Sequence, residues 1–182
     1  MLRHLLRGYS RAVLVDPKGR AVMDGWPTVY GVAAFRAAWP ASPRVVARTG
    51  PGEDRRAWLD AVAWHVYRHG ETAFGLDEVA GVVDASRGSR GLDAVLMQGR
   101  ELGITAIVCS QRPRRIPPAI ISEADHVIAF ALAKADDRKA IAEVIGDYRS
   151  PPDRSFRFVY WSGDLTAPIE SRPLVIGRSA GD

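Results

Sequence analysis

Cysteine occurs once, at Cys109, so this 182-residue chain cannot close an internal disulfide, and a reducing cytoplasm is the expected setting. No apolar run approaches the ~18–20 residues that a membrane span needs. The opening Met1-Leu-Arg-His-Leu-Leu-Arg7 is too short, and too interrupted by charge, to serve as a signal peptide. Lysine is scarce: Lys18, Lys134 and Lys139 are the three lysines among 25 basic residues, the rest being arginine. No glycine is followed by lysine, so the phosphate-cradling loop G-x-x-x-x-G-K-[ST] is absent from the sequence. Internal repeats and low-complexity tracts are missing as well.

What remains is 47% hydrophobic and 25% charged, the balance of a soluble globular protein with room for one domain that buries a core. The net charge of +4 admits an anionic partner without identifying one.

Periodicity divides the chain into alternating strands and helices. Met1 to Gly8 reads as the end of a helix with Leu2, Leu5 and Leu6 on one face. Ala12–Val15 reads as a buried strand running into the turn Asp16-Pro17-Lys18-Gly19. A short extended piece at Thr28–Tyr30, a helix over Val32–Trp39 and a strand at Val45–Ala47 follow. The helix expected over Glu53–His69 places Leu59, Val62, Ala63 and Val66 inward, with Gly70 beyond its end. Phe74–Leu76 is a strand delivering Asp77-Glu78. Ser89 caps a helix running to about Leu102, with Gly103 as its stop. Ile104–Cys109 is the most continuous strand signal and ends at Ser110-Gln111-Arg112-Pro113.

Beyond it come a short helix at Pro118–Glu123, a strand at His126–Leu132 and a helix at Lys134–Ile145. A Pro151-Pro152 linker precedes a β-hairpin of Phe156–Trp161 and Leu165–Ile169. The domain is expected to span 1–176, with a core of 1–146, the hairpin region at 154–176 and a disordered tail at 177–182.

Such alternation means an α/β fold, a mostly parallel sheet covered on both faces, with ligands at the carboxyl ends of its strands. Asp16, Asp77-Glu78 and Ser110-Gln111 each fall at a strand's carboxyl end. Magnesium takes oxygen ligands and keeps several waters, so one carboxylate fixed at a strand end suits it. A second carboxylate beside it can orient and deprotonate a water that attacks a γ-phosphate. Gln111 is placed to hydrogen-bond that phosphate or water. Each residue alone also reads as an ordinary solvated strand end; three on one rim read as a site. Arg100, Arg112, Arg114 and Arg115 are either phosphate-reaching or simply solvated. His65 and His69, four apart on a helix, lack a third ligand at matching spacing, and Cys109 reads as a small core residue. A dinucleotide-binding reading with Asp16 on a ribose fails, because no G-x-G-x-x-G precedes its strand.

Val13-Leu-Val-Asp-Pro-Lys-Gly19, Phe74-Gly-Leu-Asp-Glu-Val79, Gln98-Gly-Arg-Glu-Leu-Gly-Ile104 and Ile107-Val-Cys-Ser-Gln-Arg-Pro113 together resemble the HerA/FtsK class of P-loop ATPases. Ile121-Ser-Glu-Ala-Asp-His-Val-Ile128 extends the likeness, which covers Met1 to about Gly146. The resemblance implies a RecA-like three-layer core, magnesium and ATP as cofactor and substrate, a homo-oligomeric ring and DNA as a possible partner. It implies Asp77 as the magnesium-coordinating acid, Glu78 as the catalytic base, Gln111 as the γ-phosphate sensor and Arg112 as a further nucleotide-binding residue. The departure is the missing phosphate loop and the strand before it. It implies negligible ATPase activity from this chain alone, and a slot in the sheet between the Ile104–Cys109 and His126–Leu132 strands. The alternative is a catalytically dead relative serving as a DNA- or partner-binding assembly module.

Overall fold

The structure, a computed structural model, describes residues 1–83, 88–152 and 156–172. It divides into two compact units, one of Met1–Gln111 with Arg115–Pro117, the other of Arg112–Arg114 with the residues from Pro118 onward. The expected tail at 177–182 lies outside the described residues.

The first unit is built on a five-stranded, all-parallel sheet. Its strands are β1 (Ala12–Val15), β2 (Thr28–Tyr30), β3 (Arg44–Arg48), β4 (Ala73–Leu76) and β5 (Thr105–Val108), in spatial order β2-β3-β1-β4-β5. All four residues of β1 and of β4 are buried, as expected of central strands covered on both faces. Alternation splits their side chains between two layers.

On one face Ala12, Leu14, Val46 and Ala73 join Leu2 and Leu6 of helix α1 (Leu2–Leu6), with Met23 and Trp26 beside them. Gly75 makes that contact possible: a Cβ there would stand 2.5 Å from Leu6 Cδ1. On the other face lie α2 (Gly31–Ala38), α3 (Arg55–His69) and α4 (Arg90–Gln98). Phe35, Trp58, Leu59, Val62 and Leu92 are fully or almost fully buried there.

The helix ends follow capping chemistry. Asp54 accepts from Ala57 N at 2.8 Å to start α3, and Ser89 accepts from Leu92 N at 3.2 Å to start α4. A 3-10 turn, Gly99–Leu102, extends α4 and closes on Gly103 in the left-handed region at φ 69°.

The second unit holds α5 (Pro118–Ser122), β6 (His126–Ala129), α6 (Ala135–Ile145), β7 (Val159–Ser162) and β8 (Ile169–Glu170). Here two expectations are corrected. The His126–Leu132 strand does not continue the parallel sheet; β6 pairs antiparallel with β7, with His126 opposite Ser162 and Ala129 opposite Val159. Its backbone groups need partners, and the apolar strand after the proline linker supplies them. The hairpin's second strand is also shorter than expected: Leu165 N bonds back to Ser162 O at 3.0 Å, so the turn runs on and pairing resumes only at Ile169.

The remaining flank of β5 has no strand beside it among the described residues. Its burial drops accordingly, from the full burial of β4 to an exposed Thr105 and half-buried Ala106, Ile107 and Val108. The expected slot between two strands of one sheet is thus not found: β5 is the last strand of its sheet, and β6 belongs to the other.

Candidate functional site

The rim formed by the carboxyl ends of β1, β4 and β5 begins with Asp16. This residue is fully buried, and its Oδ2 accepts from Ala21 N at 2.8 Å and from Arg48 Nε at 3.0 Å. Arg48, at the end of β3, also donates to Ala21 O at 2.7 Å and to the Tyr30 hydroxyl at 3.0 Å. The loop after β1 is thus latched to the sheet through one carboxylate and one guanidinium. The other oxygen, Asp16 Oδ1, is buried with no hydrogen-bond partner among the described residues. A buried carboxylate oxygen without a donor is costly unless a cation or proton meets it.

Asp77 stands next door. Its N–H bonds Val15 O at 3.0 Å, carrying the β1–β4 pairing one residue past the strand. Its carboxyl pKa is raised, first by burial and then by the Asp16 charge, with Lys18 acting in the opposite direction. Two acids on adjacent strand ends, one with an orphaned oxygen and one reluctant to ionise, form a donor set that a divalent cation would satisfy. No cluster of three or more potential ligating side chains occurs among the described residues. Magnesium binds through one or two carboxylates and takes its other oxygens from water and phosphate.

Glu78 follows in a left-handed conformation, φ 68° and ψ 72°, at a non-glycine position. Such backbone costs on the order of 1 kcal/mol or more and persists where its surroundings enforce it. The enforcement is visible: Asp77 N is tied to Val15 O, and Val79 N to Cys109 O at 2.9 Å. Held in this way, the Glu78 side chain is 9% exposed. Its carboxylate accepts from Gln111 N at 3.2 Å, from Ser110 Oγ at 3.4 Å and from Lys18 Nζ at 3.3 Å.

The structure therefore brings together Asp16, Asp77, Glu78 and Gln111, as the sequence suggested. Arg112 is the first residue of the second unit, where its Nε donates to Asp137 Oδ2 at 2.8 Å; Asp137 Oδ1 also accepts from Arg114 N at 3.1 Å. Arg100 lies in the 3-10 turn before β5, at the amino end of the strands and away from the rim.

His65 and His69 stack at 4.2 Å, with His69 Nδ1 2.7 Å from His65 O. The geometry is that of a packed aromatic corner with Phe35 and Trp39. Burial pushes the Cys109 thiol up to about 11, leaving it protonated and packed against the core.

Sequence reasoning missed Arg48 and Lys18 as parts of this rim. The signal for Lys18 was its place in the Asp-Pro-Lys-Gly turn. Arg48 carried none beyond ending a strand.

No family model and no curated protein sequence matches the chain. Solved structures do. The chain is similar to the genome packaging NTPase B204 from Sulfolobus turreted icosahedral virus 2 in complex with AMPPCP, at a TM-score of 0.71 and 15% identity over 94% of this chain and 87% of that one. The ATP-γS complex of the same protein gives a TM-score of 0.71 at 16% identity over 95% and 87%. B204, the DNA-packaging ATPase from Sulfolobus turreted icosahedral virus, gives 0.67 at 17% over 95% and 88%. At such identities the likeness establishes the fold alone: an α/β fold with a mostly parallel sheet, shared with the B204 NTPase structures.

Proposed function

We propose that this chain carries the magnesium- and water-handling half of an ATPase site of the HerA/FtsK kind. With a phosphate loop supplied, the site hydrolyses ATP and couples hydrolysis to movement of DNA, within a ring of identical subunits. The observation that carries the reading is the 3.2 Å bond from Gln111 N to Glu78 Oε2, which sets the amide-bearing residue and the acidic pair on one rim. The likeness to a DNA-packaging ATPase and to its complexes with AMPPCP and ATP-γS supports the choice of substrate.

Asp77, backed by Asp16, would hold magnesium; when bound, the ion neutralises charge on the phosphates. Glu78 accepts the proton of the attacking water, and its strained, bonded backbone fixes where that proton goes. The Gln111 side chain, exposed at the start of its loop, is free to reach a γ-phosphate oxygen. The phosphate-binding backbone nest and its lysine are not among these 182 residues, so hydrolysis requires a loop from outside them.

Calorimetric titration with magnesium-ATP tests the reading. Binding is expected in the millimolar range, dependent on magnesium, and lost in Asp77→Asn, with no hydrolysis above background. Binding indifferent to both magnesium and Asp77 would contradict it. Salt-dependent DNA binding with no nucleotide binding would favour a catalytically dead assembly module.

A further inference from the structure

Lys18 is a rim cation held by a single, long contact. The backbone beneath it is fixed: Asp16 N bonds Ala47 O at 2.9 Å, Gly19 N bonds Asp16 O at 3.3 Å, Pro17 is buried, and Asp16 is held by Arg48. The side chain is 40% exposed, and its one ion-pair or hydrogen-bond partner among the described residues is Glu78, at 3.3 Å. Glu78, by contrast, keeps the Gln111 N–H and the Ser110 hydroxyl if Lys18 departs.

Of the other nearby cations, Arg48 is the most engaged. Arg48 is spent on Asp16, Ala21 O and Tyr30, and Arg3, close enough to influence Asp77, donates to Val22 O at 3.3 Å. A long contact to a single carboxylate is a weak hold on a flexible, strongly hydrated ammonium. A magnesium triphosphate presents several anionic oxygens to the same rim.

We infer that Lys18 is a triphosphate-binding residue that exchanges partners, leaving Glu78 Oε2 for a phosphate oxygen when nucleotide arrives. The inference rests on the ATPase reading above. The exchange has a second effect: Glu78 Oε2 now accepts from both Lys18 Nζ and Gln111 N, and departure of the ammonium opens one acceptor position for a water O–H. Water would then be engaged only when a triphosphate is present.

The chain has three lysines, which makes the test direct. Lysine-selective 15N and 13C labelling gives three side-chain signals, and Lys18→Arg identifies one of them. Titration with magnesium tripolyphosphate and with magnesium-ATP should shift the Lys18 signal while Lys134 and Lys139 stay in place. Glu78→Gln should displace the Lys18 signal before any ligand is added and tighten triphosphate binding by about three- to tenfold; Lys18→Met should weaken it by a similar factor. If backbone amides at Asp77 and Gln111 respond to ligand while the Lys18 signal does not, the exchange is wrong and the ATPase reading survives. If neither responds, both fall. Parallel shifts of all three lysines would mean diffuse charge attraction and would also overturn the exchange.

Discussion

Gln111 donates its backbone N–H to Glu78 Oε2 at 3.2 Å, across a sequence separation of 33 residues. Two strand ends that are remote along the chain are thereby fused into one rim. The acid at the end of β4 is held in its left-handed backbone by the loop that leaves β5.

Asp77 is held in a state unfavourable to its charge, so neutralising it should stabilise the fold. Its carboxyl pKa is raised, so the folded protein binds protons more readily than the unfolded one, and stability at neutral pH carries the cost of ionisation. Asp77→Asn should raise stability at pH 7, by an amount limited by partial solvent screening. The gain should fade as pH falls through the carboxylate range, where wild type also becomes neutral. Urea unfolding of both proteins at pH 7 and pH 4 checks this.

His65 makes an opposite demand. Burial, with His69, Arg36 and Arg68 nearby, lowers its pKa to about 4, and its Nε2 is buried without a hydrogen-bond partner among the described residues. Between about pH 6.5 and pH 4 the unfolded chain binds a proton there that the folded chain refuses, so stability falls as pH drops through this window. His65→Phe keeps a ring against Phe35 and Trp39 and should remove on the order of 1 kcal/mol of that acid-side loss. The melting temperature of wild type should fall further than that of the variant between pH 6.5 and pH 4, so the two converge if wild type starts higher and diverge if it starts lower. Parallel curves would show that His65 does not titrate differently on folding.

Gly75 tests the packing behind the rim. A methyl group there would meet Leu6 Cδ1 at 2.5 Å, inside a fully buried contact between α1 and β4. Gly75→Ala should destabilise by about 1–3 kcal/mol, the usual cost of overpacking. Leu6→Ala alone should also destabilise, through a cavity. Because the two changes act on the same space, the double variant should cost clearly less than their sum, which a double-mutant cycle in urea reads directly.

Asp137 tests the second unit. It is 2% exposed and accepts from both Arg112 Nε and Arg114 N. Asp137→Ala leaves a guanidinium and a backbone N–H without that acceptor and should cost roughly 2–4 kcal/mol. Hydrogen exchange should show the loss concentrated in the amides of Arg112–Arg114 and the first turn of α6.

Much of this was legible in the sequence, for local reasons. An apolar run ending in Asp77-Glu78 declares a strand and its end within six residues, and Ser89 and Gly103 mark helix limits through their own backbone chemistry. The missing motif pointed to an unpaired flank on β5, but not to β6 lying outside its sheet. The contacts that give the rim its charge pattern were not. Arg48–Asp16 joins residues 32 apart and Lys18–Glu78 residues 60 apart, and neither leaves a periodic trace. The pairing of β6 failed for the same reason. Its partner lies across a linker, and an apolar tetrapeptide such as His126–Ala129 fits a parallel or an antiparallel neighbour equally well.

The most direct test of the central claim uses manganese(II) in place of magnesium. A backbone amide spectrum of the chain with ATP and substoichiometric manganese reports, by paramagnetic broadening, which residues surround the bound metal–nucleotide. The amides of Asp77, Glu78, Ser110 and Gln111 should broaden first, together with those of Asp16 and Lys18, and Asp77→Asn should abolish the effect. Broadening that spares this rim while appearing elsewhere, or that persists unchanged in Asp77→Asn, would contradict the assignment.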